Sequence, residues 1–209
     1  MIQQLQRYKT GILLGILLIF HTVGLIGLQS EMRQDFLKLS FLNLSLAFVV
    51  LLLGRKNHSR KFYIYAFTIV LTGMVAEWIG VHTGHLFGNY SYGENLGVKI
   101  WDVPLIIGIN WLVLTMGSTS ILAFTNWPIL LKAIASAALM TALDLLIEPV
   151  AIANEYWMWE GDIPSFNYLS WFFISLVLHF GYFTLGLAEK NKVAVGLFCI
   201  LSLFFLCLL

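Results

Sequence analysis

The sequence predicts an all-α, polytopic transmembrane helical bundle of about seven spans, on three observations. Only 11% of the 209 residues are charged while 59% are hydrophobic, and the mean hydropathy is +0.85. A water-facing domain carries about 25% charged residues, so these charges are too few to cover a wet surface. The apolar residues fall in long runs, each near the ~20 residues a helix needs to cross the hydrocarbon core, separated by short polar stretches. Lys and Arg collect in alternate connections, as they do in a chain threaded through a bilayer.

The runs lie at roughly 11–29, 36–53, 62–82, 103–123, 129–150, 168–188 and 193–209, within a single integral membrane domain over 1–209. The first follows Arg7 and Lys9 like a signal peptide. It lacks a small-residue cleavage site, and a second run comes soon after, so it reads as a retained helix. The first two runs and the last are plain in composition; the third, fifth and sixth hold polar residues inside the span, where they are costly and therefore informative. Cys199 and Cys207 share the last run. Helical rise separates them by ~12 Å, beyond disulfide reach, and they read as small apolar residues.

Arg7, Lys9, Arg55, Lys56, Arg60, Lys61, Lys132, Lys190 and Lys192 fall on one side of this threading; Arg33, Lys38 and Lys99 fall on the other. The bias places the N-terminus in the cytoplasm, with a bacterial or archaeal cytoplasmic membrane as the expected location. The two long loops, 83–102 and 151–167, then share the outer face, beside the ends of the spans that carry acids.

Glu77 sits about 8 Å along its helix from the outer end, at 1.5 Å per residue. An ionised carboxylate at such depth costs at least ~2.5 kcal/mol on insertion scales, so it must be paired, hydrated or protonated. Asp144 and Glu148 are spaced i, i+4, which puts both on one helical face. Pro149 follows, and it is expected to break or kink the helix and free carbonyls there. Two acids on one face repel when both are ionised, which favours keeping one protonated, as a general acid must be. A structural ion pair is the competing reading, but no basic residue lies in the outer half of any of these spans.

Aromatic residues gather at the same end: Trp78, Trp101, Trp157, Trp159 and Trp171, with Tyr90, Tyr92, Tyr156, Phe166 and Tyr168. An interfacial belt would populate both faces, yet Trp127 alone marks the inner one. An aromatic pocket suits an apolar polyene, and ring faces stabilise a developing cation. Gly80, Gly84 and Gly88 recur every four residues, as close helix packing requires.

His21 and His179 lie near mid-membrane, and a bis-histidine haem is one reading of them; His82 and His85, at i, i+3, are a weak metal pattern. No clustered histidine boxes, Gly-rich dinucleotide loop or nucleophile elbow occurs. A net charge of +1 gives no reason to expect nucleic acid as a partner.

At these residues the chain resembles the membrane carotenoid biosynthesis family of CruF-type carotenoid 1′,2′-hydratases and bisanhydrobacterioruberin hydratase. The matching pattern runs from Glu77 through Gly80, Thr83-Gly84, Phe87-Gly88, Tyr90, Tyr92, Leu96-Gly97 and Val103-Pro104 to Trp111. It resumes at Asp144, Glu148-Pro149, Trp157-x-Trp159, Ile163-Pro164, Asn167 and Trp171, covering about half the chain; it departs at Asp102 and around Glu160-Gly161-Asp162. The resemblance implies hydration of the terminal isolated double bond of an acyclic carotenoid held within the bilayer, with no cofactor and no metal. Asp144 or Glu148 would protonate the alkene, and Glu77 or Asp102 would orient the attacking water. Trp78, His82, Phe87, Tyr90, Tyr92, Trp111, Trp157, Trp159, Asn167 and Trp171 would line the substrate pocket. The alternatives are a non-catalytic carotenoid- or lipid-binding membrane protein and a proton-coupled transporter, although acids clustered at one end without an internal repeat argue against transport. No residue pattern fixes an oligomeric state.

Overall fold

Hydrocarbon offers the peptide group no hydrogen-bond partner, so each apolar run closes its amides internally as helix. The computed structural model describes residues 2–209 and is an all-α bundle: α1 (Ile2–Leu28), α2 (Arg33–Lys38), α3 (Ser40–Gly54), α4 (Arg60–Thr83), α5 (Leu105–Leu122), α6 (Ile129–Ala153), α7 (Ser165–Thr184) and α8 (Lys192–Leu208). Six of the seven apolar runs each coincide with one helix. Five of these, α1, α4, α5, α6 and α7, are long and apolar enough to cross a membrane; α3 and α8 are apolar but shorter. Their 15 and 17 residues rise about 22 and 26 Å. The second run is split at Leu39 into α2 and α3. Helix α6 does not break at Pro149 but continues to Ala153. What the proline removes is one amide hydrogen, with the Leu145 carbonyl as its missing acceptor.

Helix α5 is the central post. Fourteen of its 18 residues are buried, and it packs against α3, α4, α6, α7 and α8. Small residues permit the close approach: a Cβ at Gly108 would meet the Met74 side chain at 2.7 Å, and one at Gly73 of α4 would meet the Trp111 ring at 2.7 Å. Helix α6 packs chiefly on α7, and α1 on α8. The hydroxyls of Thr115, Ser118 and Thr119 donate back to carbonyls of their own helix, which satisfies these three buried groups without a partner helix.

Each end of the bundle is tied differently. At one end Arg55 is buried; it donates to Tyr182 Oη (3.0 Å) and the Leu187 carbonyl (2.9 Å) and lies over the Phe62 ring. Ser59 and Asn191 cap α4 and α8 there through their side-chain oxygens. At the other end the two long loops meet. Four short strands lie in them: β1 (Tyr90–Tyr92), β2 (Lys99–Ile100), β3 (Val103–Pro104) and β4 (Trp157–Trp159). Strand β1 pairs antiparallel with β4, Tyr90 opposite Trp159 and Tyr92 opposite Trp157, while β2 and β3 form a hairpin. The Arg33 guanidinium donates to Asn154 Oδ1 and the Ala153 carbonyl, and Ser40 Oγ bonds Tyr156 Oη at 2.5 Å, fastening α2 and α3 to the second loop.

Candidate functional site

The β1–β4 ribbon follows from a two-residue period. In Tyr90-Ser91-Tyr92 and Trp157-Met158-Trp159 the aromatic residues alternate with residues that point outward. One ribbon face therefore presents four aromatic side chains to the helices beneath it. Those rings cover a cavity of about 320 Å³ lined by Glu77, Asp144 and Glu148. Phe87, Tyr90, Tyr92, Trp111, Trp157, Trp159, Asn167 and Trp171, all expected in the pocket, line it as well.

The three acids differ in what holds them. Glu77 accepts three hydrogen bonds, from Tyr90 Oη (2.5 Å) and Tyr92 Oη (2.7 Å) on one oxygen and from Trp111 Nε1 (3.1 Å) on the other. Glu148 also accepts three, from Trp157 Nε1 (2.9 Å), Trp159 Nε1 (3.0 Å) and Asn167 Nδ2 (3.5 Å). Burial first, and then the Glu77 charge, push the Tyr90 and Tyr92 phenols well above their ordinary range, so both remain protonated donors. Asp144 is 2% exposed, and its Oδ2 has no hydrogen-bond partner among the described residues. Two acids are thus each surrounded by three donors, as a carboxylate needs; the third is bare. Charging an unpaired buried carboxyl costs several kcal/mol or more on the order of transfer energies, so the surroundings of Asp144 suit its neutral form.

Aromatic stacking closes the walls. Trp111 and Trp171 lie face to face at 4.1 Å and 11°, Tyr90 tilts over Trp159 at 5.0 Å, and Tyr92 meets Trp157 edge-on at 6.0 Å. Several ring faces are therefore available to a cation in the cavity.

Three expected site residues are not brought to the cavity. Trp101 and Asp102 form the two-residue turn of the β2–β3 hairpin, both at positive φ (50° and 64°), as a tight right-twisted hairpin demands. That turn carries Asp102 to the surface, 77% exposed, where its carboxylate faces His82 Nε2 at 3.3 Å. His82 and Trp78 share the outer face of α4, with rings 5.4 Å apart and Trp78 41% exposed. With Trp101, these behave as boundary aromatics rather than pocket walls. His179 spends both ring nitrogens on Ser118 Oγ and the Ser175 carbonyl, so it has none to offer a haem iron.

The plain first, second and last runs, by contrast, supply much of the cavity: Phe20, His21 and Gly24 of α1, Asn43 of α3, and Phe204 and Leu208 of α8 line it, with Asn110 of α5. His21, and the polar Ser40 and Asn43 in the second run, were the available signals. Phe20, Val23, Leu39 and Leu42 both line the cavity and are exposed. The cavity therefore reaches the protein's surface along its α1–α3 edge.

Gly80 explains how the loop reaches the helix. A Cβ there would stand 2.7 Å from the Phe87 ring and 2.8 Å from Tyr90 Oη. The glycine period therefore does not mark helix–helix packing: Gly80 admits the loop aromatics, and Gly84 caps α4 at φ +67°. Gly80→Ala is expected to push Tyr90 off Glu77 and cost about 1–3 kcal/mol, as overpacking does. A thermal melt in detergent checks this, read beside Gly11→Ala, whose Cβ would meet nothing within 4 Å.

Among known proteins, the family model described as "Carotenoid biosynthesis protein" matches residues 37–208. A relative, bisanhydrobacterioruberin hydratase of Haloarcula japonica, is 25% identical over 134 residues, covering 56% of this chain and 44% of the relative. The match thus takes in under half of that protein's length. No solved structure matches.

Proposed function

The chain belongs to the carotenoid biosynthesis protein family, and from that premise we propose that it is a carotenoid hydratase. It adds water across the terminal isolated double bond of an acyclic carotenoid end group and gives a tertiary alcohol. The observation that carries this reading is the bare Asp144 carboxyl, in an aromatic-walled cavity whose other two acids are already held by donors. Asp144 gives its proton to the less substituted alkene carbon, forming a C–H bond and a tertiary cation. The Tyr90, Trp159, Trp111 and Trp171 rings and the Glu77 and Glu148 carboxylates stabilise that cation. Water attacks it, a C–O bond forms, and the surplus proton returns to Asp144. Alkene and water sum to alcohol, so the balance calls for no redox cofactor or metal.

Cavity size and opening support a long substrate bound by one end. A volume of about 320 Å³ is at the lower limit of small-molecule pockets, ~300–1,000 Å³. It has room for an end group, with the rest of the polyene running out past Phe20 and Leu42 into lipid. The expected setting is a bacterial or archaeal cytoplasmic membrane. The test is expression in a host that accumulates an acyclic carotene. The expected pigment is heavier by one water and behaves as a tertiary alcohol. Bound carotene of unchanged mass would instead identify a binding protein.

A further inference from the structure

The cavity holds more polar groups than the proton transfer uses, and hydrogen bonding sorts them. Glu77 is held by Tyr90, Tyr92 and Trp111, Glu148 by Trp157, Trp159 and Asn167, and Ser40 is bound to Tyr156. His21 Nδ1–H donates to the Leu17 carbonyl, and the ring meets Phe204 edge-on. Two amides remain. Asn43 Oδ1 is buried without a partner, and Asn110 makes no side-chain hydrogen bond among the described residues; both line the cavity with Asp144. They reach it from different helices, α3 and α5.

Resting on the hydratase reading, we infer that Asn43 and Asn110 hold the water that attacks the cation, in place of the acids Glu77 and Asp102. A water in an apolar cavity needs two to four polar partners. Here they are two amides from different helices and the Asp144 carboxyl. Glu77 is less suited because three of its roughly four acceptor sites are taken, and Asp102 because it lies at the surface. An amide also suits the task chemically. It accepts from and donates to water without competing for the proton that Asp144 must deliver, and it cannot itself be protonated by a neighbouring carboxylic acid. Once the C–O bond forms, the water's surplus proton returns to the Asp144 carboxylate beside it, and the same amides hold the product hydroxyl.

The test separates protonation from water capture. Membranes carrying the protein are given an acyclic carotene in D2O, and both the alcohol and the recovered carotene are analysed by mass. Wild-type protein is expected to give alcohol with one deuterium on the carbon next to the carbinol carbon. Asn43→Leu and Asn110→Leu, which keep side-chain size, are expected to lower the alcohol at least tenfold. Recovered carotene should then gain deuterium, because a cation without water decays by losing a proton from an adjacent carbon. If a leucine variant fails to accumulate, Asn43→Ala and Asn110→Ala stand in its place, with quenching of tryptophan fluorescence by the polyene reporting an intact pocket. Alcohol undiminished in both amide variants overturns the inference and leaves the hydratase reading standing. Alcohol lost together with deuterium exchange overturns it too, since the amides then serve protonation or the fold. Loss of alcohol with exchange retained in His21→Phe, but not in the amide variants, gives the water to His21 instead. Wild-type alcohol without that deuterium overturns the acid-catalysed reading itself.

Discussion

Asp144→Asn is expected to reduce tertiary alcohol formation by about 10²–10⁴-fold, the usual contribution of a positioned general acid, while leaving the bundle folded. The two halves of that expectation have one origin. Asp144 Oδ2 makes no hydrogen bond, so an amide of the same shape breaks no contact that holds helices together. It removes only the proton that the alkene needs. Glu148→Gln is the informative comparison. Its amide oxygen can still accept from Trp157 and Trp159, so it weakens the cation's surroundings without removing the acid. Pigment analysis of both variants at matched protein level decides the assignment. If Glu148→Gln loses the alcohol while Asp144→Asn keeps it, the donor is the other acid of the pair.

Glu77→Leu is expected to act through stability first. Its carboxylate takes hydrogen bonds from Tyr90, Tyr92 and Trp111, joining α4 to β1 and to the central helix. Leucine strands all three donors in a buried site, and each unsatisfied donor costs about 1–3 kcal/mol. Because such losses are not additive, the total is on the order of 3–5 kcal/mol. Against a whole stability of about 5–15 kcal/mol, the variant should melt far below wild type or fail to accumulate. Tyr92→Phe, which removes one bond of the three, is expected to lower the melting temperature by a fraction of that. A Glu77→Leu melt equal to wild type would mean that these contacts do not hold the loop.

The helices and the acids were legible because their signals are periodic. Apolar runs define the helices, and the i, i+4 spacing of Asp144 and Glu148 fixes a shared face whatever surrounds it. Tyr90, Tyr92, Trp157 and Trp159 were legible as pocket residues, but not as strands; three residues with period two are too short a segment to stand out beside 20-residue helices. Asp102 misled because its direction is set by a two-residue turn with positive φ, and neither Trp101 nor Asp102 is a glycine to announce it. Trp78 and His82 lie on the face of α4 away from Glu77, a difference of one helical residue that composition does not resolve. Asn43 and Asn110 drew no notice because a lone amide in an apolar run is common. Their meaning appears only once the donors around Glu77 and Glu148 are seen to be taken.

Each of the two donor-held acids is served largely by the loop that follows its own helix: Glu77 by Tyr90 and Tyr92, Glu148 by Trp157 and Trp159. Each acid therefore has aromatic donors within 9–15 residues of itself along the chain, so neither depends on the opposite half of the molecule for its first partners. Neither carboxylate has to wait in hydrocarbon for a distant rescuer. The bare Asp144 alone has no such local partner among the described residues.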